Sequence, residues 1–140
     1  MNSVVKKLPV SKLSIKDVMV KGVWCLTSDM TVRTAIEMLI HQKISGAPLV
    51  HRDTNLLLSV VSEADLIKFA AMDSLDDPLI ALMDKLPTVS QLVTAKPEEA
   101  FSELFKKFLL NPVRRVVVIN ESNQVVGLVS RRDVMAAFLK

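Results

Sequence analysis

The sequence has few of the residues that build disulfides, metal sites and phosphate loops. Among its 140 residues it has one cysteine, three glycines, two histidines and no tyrosine. A single cysteine excludes an internal disulfide framework, and neither Cys-x-x-Cys nor His-Glu-x-x-His is present. Three glycines leave no loop of the Walker or Rossmann type. Because no nucleophile or carboxylate stands at motif spacing from His41 or His51, the sequence argues against an enzyme and against a metal site.

Long apolar runs are also absent. The longest, Leu56–Leu58 followed after Ser59 by Val60 and Val61, is far too short to cross a membrane. Residues 1–13 carry lysines but lack the apolar stretch of a signal peptide. These two absences predict a cytoplasmic protein that does not act at a membrane.

Charge of one sign is not concentrated on a recognition element. The net charge is +3, and the stretch 69–84 holds four aspartates and no basic residue. Aromatic residues that could stack on bases make up 4% of the chain, which argues against nucleic-acid binding. Half of the residues are hydrophobic and about a quarter are charged, as in a globular protein with a real core.

What the sequence does contain is an internal repeat. Shifted by 68 residues, Pro48–His51 lies over Val116–Ile119 and Leu57–Ser62 lies over Val125–Ser130. Each copy is predicted to run strand, helix, strand, turn, strand, helix, with first strands at Val23–Leu26 and Gln91–Thr94. The strands are rich in Val, Ile and Leu with little alternation, which predicts cover on both faces. The fold class is therefore α/β (α+β), with two βαββα repeats.

The helices upstream of the central strands show periodic apolar residues. In copy one these begin at Val32 behind Thr31 as N-cap, with Ser45-Gly46 as the predicted stop. In copy two Pro97 is predicted to start the helix and Asn111-Pro112 to end it. We predict an N-terminal arm at 1–13, a first domain at 14–71, a linker at 72–84 and a second domain at 85–140.

Each copy has a Ser-x-x-Asp sequence where its last strand meets its last helix: Ser62 with Asp65, and Ser130 with Asp133. One interpretation is a capping box, in which each side chain satisfies the other residue's backbone donor. The other is a ligand site, in which the serine and free backbone donors bind phosphate and the aspartate holds a ribose. The sequence leaves both interpretations open.

The two copies differ in charge at this turn. Arg131 and Arg132 stand in the second copy, and a bound anion would offset the cost of two cations in the first turn of a helix. The first copy has Glu63, which would repel a phosphate. We therefore expect the second turn to bind phosphate. The alternative is that the arginines face water or pair with Glu98, Glu99 or Glu103.

Four segments together resemble a known family: Asp17–Met19, Ile44–Val50, Ser59–Leu66 and Gly127–Val134. In this order they resemble tandem cystathionine β-synthase (CBS) domains, over about residues 14 to 139. The sequence departs from the family where Ser59 replaces the usual glycine, and where Leu86-Pro87-Thr88 replaces the Asp-x-Met lead-in.

The resemblance implies two repeats packed about a pseudo-twofold axis, as a homodimer, with no cofactor required. It implies binding of AMP, ADP, ATP or S-adenosylmethionine in clefts between the repeats, and a regulatory effect on an unidentified partner protein. Phosphate and ribose roles carry over to Ser62 and Asp65, and to Ser130, Arg131, Arg132 and Asp133. The implied adenine pockets combine Gly46, Ala47 and Pro48 with Gly22 and Val23, and Val113, Arg114 and Arg115 with Gln91 and Leu92. The alternative function is a ligand-free scaffold that only dimerises.

Overall fold

The computed structural model describes residues 9–139, which form two three-stranded sheets and four α-helices. In the first repeat the elements are β1 (Leu26–Thr27), α1 (Val32–Gln42), β2 (Gly46–Val50), β3 (Leu57–Ser62) and α2 (Glu63–Ala71). In the second they are β4 (Thr94–Ala95), α3 (Phe101–Leu110), β5 (Arg115–Ile119), β6 (Val125–Ser130) and α4 (Arg131–Ala137). Short 3-10 turns occupy Val10–Lys12, Ile15–Asp17, Leu79–Lys85 and Val89–Gln91.

The sheets have the same strand order, β1-β2-β3 and β4-β5-β6. In the first, β1 runs parallel to β2 and β2 antiparallel to β3, so that Gly46 lies opposite Ser62. In the second, β4 runs parallel to β5 with Thr94 opposite Val117. The two repeats correspond at the sequence offset of 68: β1 maps onto β4 and β3 onto β6 without a shift, and β5 begins one residue later than β2 would predict. The predicted βαββα repeat is confirmed.

The compact units of the chain do not follow the order of the sequence. One unit, which we term the β1–β3 unit, contains Trp24–Leu92 and Ser122–Val125. The other, the β4–β6 unit, contains the described residues up to Val23, then Val93–Glu121, and those from Val126 onward. The segment that precedes the first repeat is therefore part of the unit built on the second repeat.

Each unit has its own hydrophobic core. In the β1–β3 unit it includes Leu26, Leu49, Val61 and Phe69, and in the β4–β6 unit Ile15, Phe101, Leu104, Val116 and Val118. The middle strands are almost wholly buried, as the lack of alternation predicted. In β3 and β6 the burial alternates along the strand instead, because only one face of each strand is fully covered.

Several predicted boundaries are wrong. The first strands are shorter and begin later, at Leu26 and Thr94, and Gln91 lies in a 3-10 turn where its side chain accepts a hydrogen bond from Thr88 N (2.8 Å). Helix α3 begins at Phe101 rather than Pro97. The carbonyl of Pro97 accepts a hydrogen bond from Lys16 N (2.9 Å), which holds this segment outside the helix.

Of the other predicted helix ends, the start of α1 and the end of α3 agree with the structure and the end of α1 does not. Thr31 is the N-cap of α1, and its hydroxyl accepts a hydrogen bond from Thr34 N (3.2 Å). Helix α1 ends at Gln42, before the predicted stop, because Lys43 adopts a left-handed conformation (φ 56°). Helix α3 ends at Leu110 with Asn111 as C-cap, as predicted.

Candidate functional site

The Ser62 turn is a reciprocal capping box. The Oγ of Ser62 accepts a hydrogen bond from Asp65 N (3.2 Å). In return, Oδ2 of Asp65 accepts from the backbone N (2.8 Å) and from the hydroxyl (2.9 Å) of Ser62. These bonds satisfy donors that the first turn of a helix leaves without intrahelical partners.

The Ser130 turn repeats this geometry within the second unit. Asp133 Oδ2 accepts from Ser130 N (2.8 Å) and from its hydroxyl (2.9 Å), and Asp133 N donates to Ser130 Oγ (3.2 Å). In both boxes Oδ2 accepts both hydrogen bonds from the serine, and Oδ1 takes no part in the box. One oxygen of each half-buried carboxylate can therefore accept a further hydrogen bond.

Each turn lies beside the start of the middle strand of its own repeat. Glu63 N donates to the carbonyl of Ser45 (3.0 Å), and Arg131 N donates to the carbonyl of Arg114 (3.1 Å). The fold thus brings Gly46, Ala47 and Pro48 next to the first turn. In the same way it brings Val113, Arg114 and Arg115 next to the second.

The arginines are not paired with the glutamates named above. Arg131 donates through Nε to the carbonyl of Val113 (3.0 Å), which directs its guanidinium toward the start of β5. In the described part of the chain, Glu99 pairs with Lys107 (3.8 Å) and Glu103 with Lys106 (3.4 Å). Arg131, Arg132 and Arg114 are all solvent-exposed, so the second turn stands in a locally basic surface.

Two further capping boxes precede the repeats and were missed at the level of sequence. Ser14 and Asp17 form one, and Thr88 and Gln91 form the other. Hydrogen bonds from the backbone N of Ser14 (2.8 Å) and then from its hydroxyl hold the pKa of Asp17 below its usual value. The sequence signal for both is the same spacing of three residues, from Ser14 to Asp17 and from Thr88 to Gln91. A capping box alone therefore does not identify a ligand site.

The lead-in segments, which precede each repeat, are exchanged: each belongs to the compact unit that is built on the other repeat. In the β4–β6 unit Val20 pairs with Leu128, and the side chain of Met19 covers Gly127. A Cβ at Gly127 would lie 2.4 Å from Met19 Sδ, so a larger residue there would require the flexible Met19 side chain to shift. In the β1–β3 unit the equivalent residue, Ser59, is buried and its hydroxyl donates to the carbonyl of Pro87 (2.8 Å). This bond accounts for the serine that replaces glycine.

The exchange also changes which candidate adenine residues share a unit. Gly22 and Val23 belong to the unit that holds Val113–Arg115, whereas the sequence had grouped them with Gly46–Pro48. Gln91 and Leu92 belong to the unit that holds Gly46–Pro48. Gly22 is exposed and has a left-handed backbone (φ 65°), a conformation that glycine adopts without strain.

The cysteine and the possible metal ligands in the described part of the chain do not form a second candidate site. Cys25 is half-buried, and burial raises the pKa of its thiol to about 11, so the thiolate is scarce at neutral pH. Among residues 9–139 no group of three or more His, Cys, Asp or Glu side chains could hold a metal ion. Nor does any helix there have the length and apolar character needed to cross a membrane.

The fold and the two turns define a class. Two βαββα repeats, each with a serine–aspartate box between its last strand and last helix, make up a duplicated α/β module. The CBS domain family model matches residues 15–71 and 81–140. The chain therefore belongs to the CBS domain family, which confirms the resemblance seen in the sequence.

Relatives are similar over most of this chain. The uncharacterized protein MJ1232 of Methanocaldococcus jannaschii is 26% identical over 126 residues, which are 90% of this chain and 40% of that protein. The crystal structure of CBSX2 from Arabidopsis thaliana in complex with AMP has a TM-score of 0.73 at 20% identity, covering 90% of this chain and 96% of that one. The CBS domain pair of MJ0100, in complex with 5′-methylthioadenosine and S-adenosyl-L-methionine, has a TM-score of 0.72 at 20% identity, covering 90% and 95%. These structures confirm the fold as a CBS pair.

Proposed function

We propose that this chain is a regulatory module that binds an adenosine-containing ligand, namely AMP, ADP, ATP or S-adenosylmethionine. The observation that carries the proposal is the duplicated turn: in both repeats a half-buried aspartate keeps one carboxylate oxygen outside its box, beside the start of the middle strand. Crystal structures of relatives in complex with AMP, and with S-adenosyl-L-methionine, support the class of ligand.

The roles follow from the chemistry of each group. Oδ1 of Asp65 or Asp133 accepts hydrogen bonds from the ribose diol, because a carboxylate can accept bonds on both oxygens. The backbone at Gly46–Pro48 or Val113–Arg115 contacts the adenine, together with Gln91 and Leu92 in the β1–β3 unit and Gly22 and Val23 in the β4–β6 unit. Ser62 and Ser130 hold the aspartates in place and contact a phosphate or its counterpart.

The two turns are unequal in this proposal. Arg131, Arg132 and Arg114 give the Ser130 turn the charge that binds phosphate, since guanidinium groups donate two parallel hydrogen bonds to phosphate oxygens. Glu63, exposed at the corresponding place in the first repeat, repels the same group. A phosphorylated nucleotide therefore binds more tightly at the Ser130 turn than at the Ser62 turn.

A thermal-shift series with the four ligands tests the proposal. A ligand at 100 times its dissociation constant stabilises the folded state by about 2.7 kcal/mol. Asp133→Ala should remove more of the shift with AMP, ADP or ATP than Asp65→Ala. Because either change also removes a helix cap, each shift is measured against the ligand-free midpoint of the same variant. Asp17→Ala is the matched control, since it breaks a box of the same geometry outside the proposed site.

The result decides between two functions. No shift with any of the four ligands would refute ligand binding and favour the scaffold that only dimerises. A larger loss with Asp65→Ala than with Asp133→Ala would refute the assignment of phosphate to the Ser130 turn. We further propose that the module is a cytoplasmic homodimer that acts on a partner protein. The ligand would change that effect only by binding two arrangements of the module with different affinity.

A further inference from the structure

Arg131, the first residue of α4, is held by two hydrogen bonds to the segment that leads into β5. Its backbone N donates to the carbonyl of Arg114 (3.1 Å), and its side-chain Nε donates to the carbonyl of Val113 (3.0 Å). The first bond fixes the backbone from which the side chain starts, and the second fixes the guanidinium at the far end of the side chain. An exposed arginine is thus held at both ends. We term the bond between Arg131 Nε and the Val113 carbonyl the Arg131 clamp.

The carbonyl that accepts this bond belongs to a restrained segment. Pro112 precedes Val113, and the ring of a proline fixes its φ. Val113 N donates to the carbonyl of Asn111 (2.8 Å). The side chain of Asn111 donates in turn, through Nδ2, to the carbonyl of Lys107 in the last turn of α3 (2.9 Å). Because the acceptor of the clamp lies in a tight turn fastened to a helix, the guanidinium has a defined position.

The clamp leaves to a ligand the part of the guanidinium that suits phosphate. An arginine has one hydrogen on Nε and the others on its two Nη atoms. The Nε hydrogen is engaged with Val113, so the two Nη atoms remain to bind a ligand. Parallel hydrogen bonds from two guanidinium nitrogens match two oxygens of one phosphate group. A clamped side chain has already lost rotamer freedom, which lowers the entropic cost of binding that phosphate.

The first repeat has the backbone bond without the clamp. At the offset of 68 residues Glu63 corresponds to Arg131, and Glu63 N donates to the carbonyl of Ser45 (3.0 Å) as Arg131 N does to that of Arg114. An ionised carboxylate accepts hydrogen bonds but donates none, so the side chain of Glu63 cannot hold a carbonyl in this way. The clamp is therefore a feature of the second turn and not a requirement of the repeated fold.

We propose that the Arg131 clamp gives the Ser130 turn its selectivity for phosphorylated ligands over the corresponding nucleosides. Val113 positions Arg131 through its carbonyl, and Arg131 binds the phosphate through its two Nη atoms. Arg132 adds positive charge to the same surface, but the preset orientation belongs to Arg131. The inference rests on the proposed function and adds to it the residue on which the selectivity depends.

Charge-conserving substitutions separate position from charge. Calorimetry gives the dissociation constants of AMP and adenosine, and their ratio measures the preference for the phosphate. Asp65→Ala is the common background, because it removes the proposed ribose contact of the other turn. Arg131→Lys should lower the ratio about tenfold, since it loses a charge-assisted hydrogen bond but keeps the charge. Arg132→Lys should lower it less. Arg52→Lys is the matched control and should leave the ratio unchanged, because Arg52 pairs with Asp29 in the β1–β3 unit.

Three results would overturn the proposal. Equal losses for Arg131→Lys and Arg132→Lys, or no loss for Arg131→Lys, would mean that charge alone explains the preference. A background protein that binds AMP and adenosine equally would also overturn it, while leaving ligand binding intact. Failure of the wild-type chain to bind either molecule would refute the proposed function together with this inference.

The clamp itself can be observed by NMR spectroscopy without a ligand. In isotope-labelled protein the Nε hydrogen of Arg131, identified by its loss in Arg131→Lys, should exchange with solvent more slowly than that of Arg132. The protection should persist when AMP is bound, because the phosphate is bound by the Nη atoms. Exchange as fast as that of Arg132 would overturn the positioning role of Val113. Loss of protection on addition of AMP would overturn the proposed division of donors between Val113 and the phosphate.

Discussion

The contact between Met19 and Gly127 gives a sharp test of the exchanged lead-in segments. In Gly127→Ala the new Cβ would lie 2.4 Å from Met19 Sδ, 2.9 Å from Cγ and 3.2 Å from Cβ. All three atoms belong to one side chain, so the strain is confined to a single contact. If the segment before the first repeat did not pack on β6, adding this methyl group would meet no obstacle there.

The magnitude follows from two opposing effects. Forcing a methyl group into a packed site costs about 1–3 kcal/mol. Replacing a strand glycine by alanine returns about 0.5–1 kcal/mol, because the unfolded chain has less freedom to lose. Met19 is flexible and half-buried, so part of the strain relaxes and we expect a net loss of about 1 kcal/mol. In a chain of this size that loss lowers the thermal midpoint by about 3–5 °C.

A double-mutant cycle checks the cause. Urea denaturation of wild type, Gly127→Ala, Met19→Ala and the double variant should show a coupling of about 1 kcal/mol, because Met19→Ala removes the two closest atoms. In that background Gly127→Ala should be neutral or stabilising. As a control, Met19→Ala and Ser59→Ala should be additive, since Ser59 bonds to Pro87 instead. Coupling to Ser59 rather than to Gly127 would refute the exchange of lead-in segments.

Three further predictions concern single residues. Ser59→Ala should lower the free energy of unfolding by about 1–2 kcal/mol, because it leaves the carbonyl of Pro87 without its buried donor; an unchanged urea midpoint would contradict this. Lys43→Gly should raise the thermal midpoint, with a gain of about 0.5–1 kcal/mol from relief of a left-handed lysine, whereas Lys43→Ala, which keeps the strain, should not. Cys25 should react with iodoacetamide only slowly at pH 8 and much faster in urea, because burial raises the pKa of the folded thiol to about 11. The free energy of unfolding should accordingly fall as the pH rises above about 8.5, the ordinary pKa of an unfolded thiol. Equal labelling rates in the folded and unfolded states would count against the burial.

The sequence predicted the repeat and its elements because they depend on local patterns. Apolar periodicity located α1, and Thr31 marked its start because an N-cap acts within one turn. The Ser-x-x-Asp spacing predicted the boxes at Ser62 and Ser130 for the same reason. Prediction failed where distant residues compete for the backbone. Pro97 does not start a helix, because its carbonyl accepts a hydrogen bond from Lys16, 81 positions earlier in the chain.

The sequence by itself therefore determined the CBS fold class, the offset of 68 residues and the pair of serine–aspartate turns. Only the tertiary structure decided that Met19 covers Gly127 while Pro87 faces Ser59, and so which candidate adenine residues share a compact unit. The physical reason is the range of the interactions: caps and periodicity act within a turn or two, whereas packing joins residues that are a hundred positions apart.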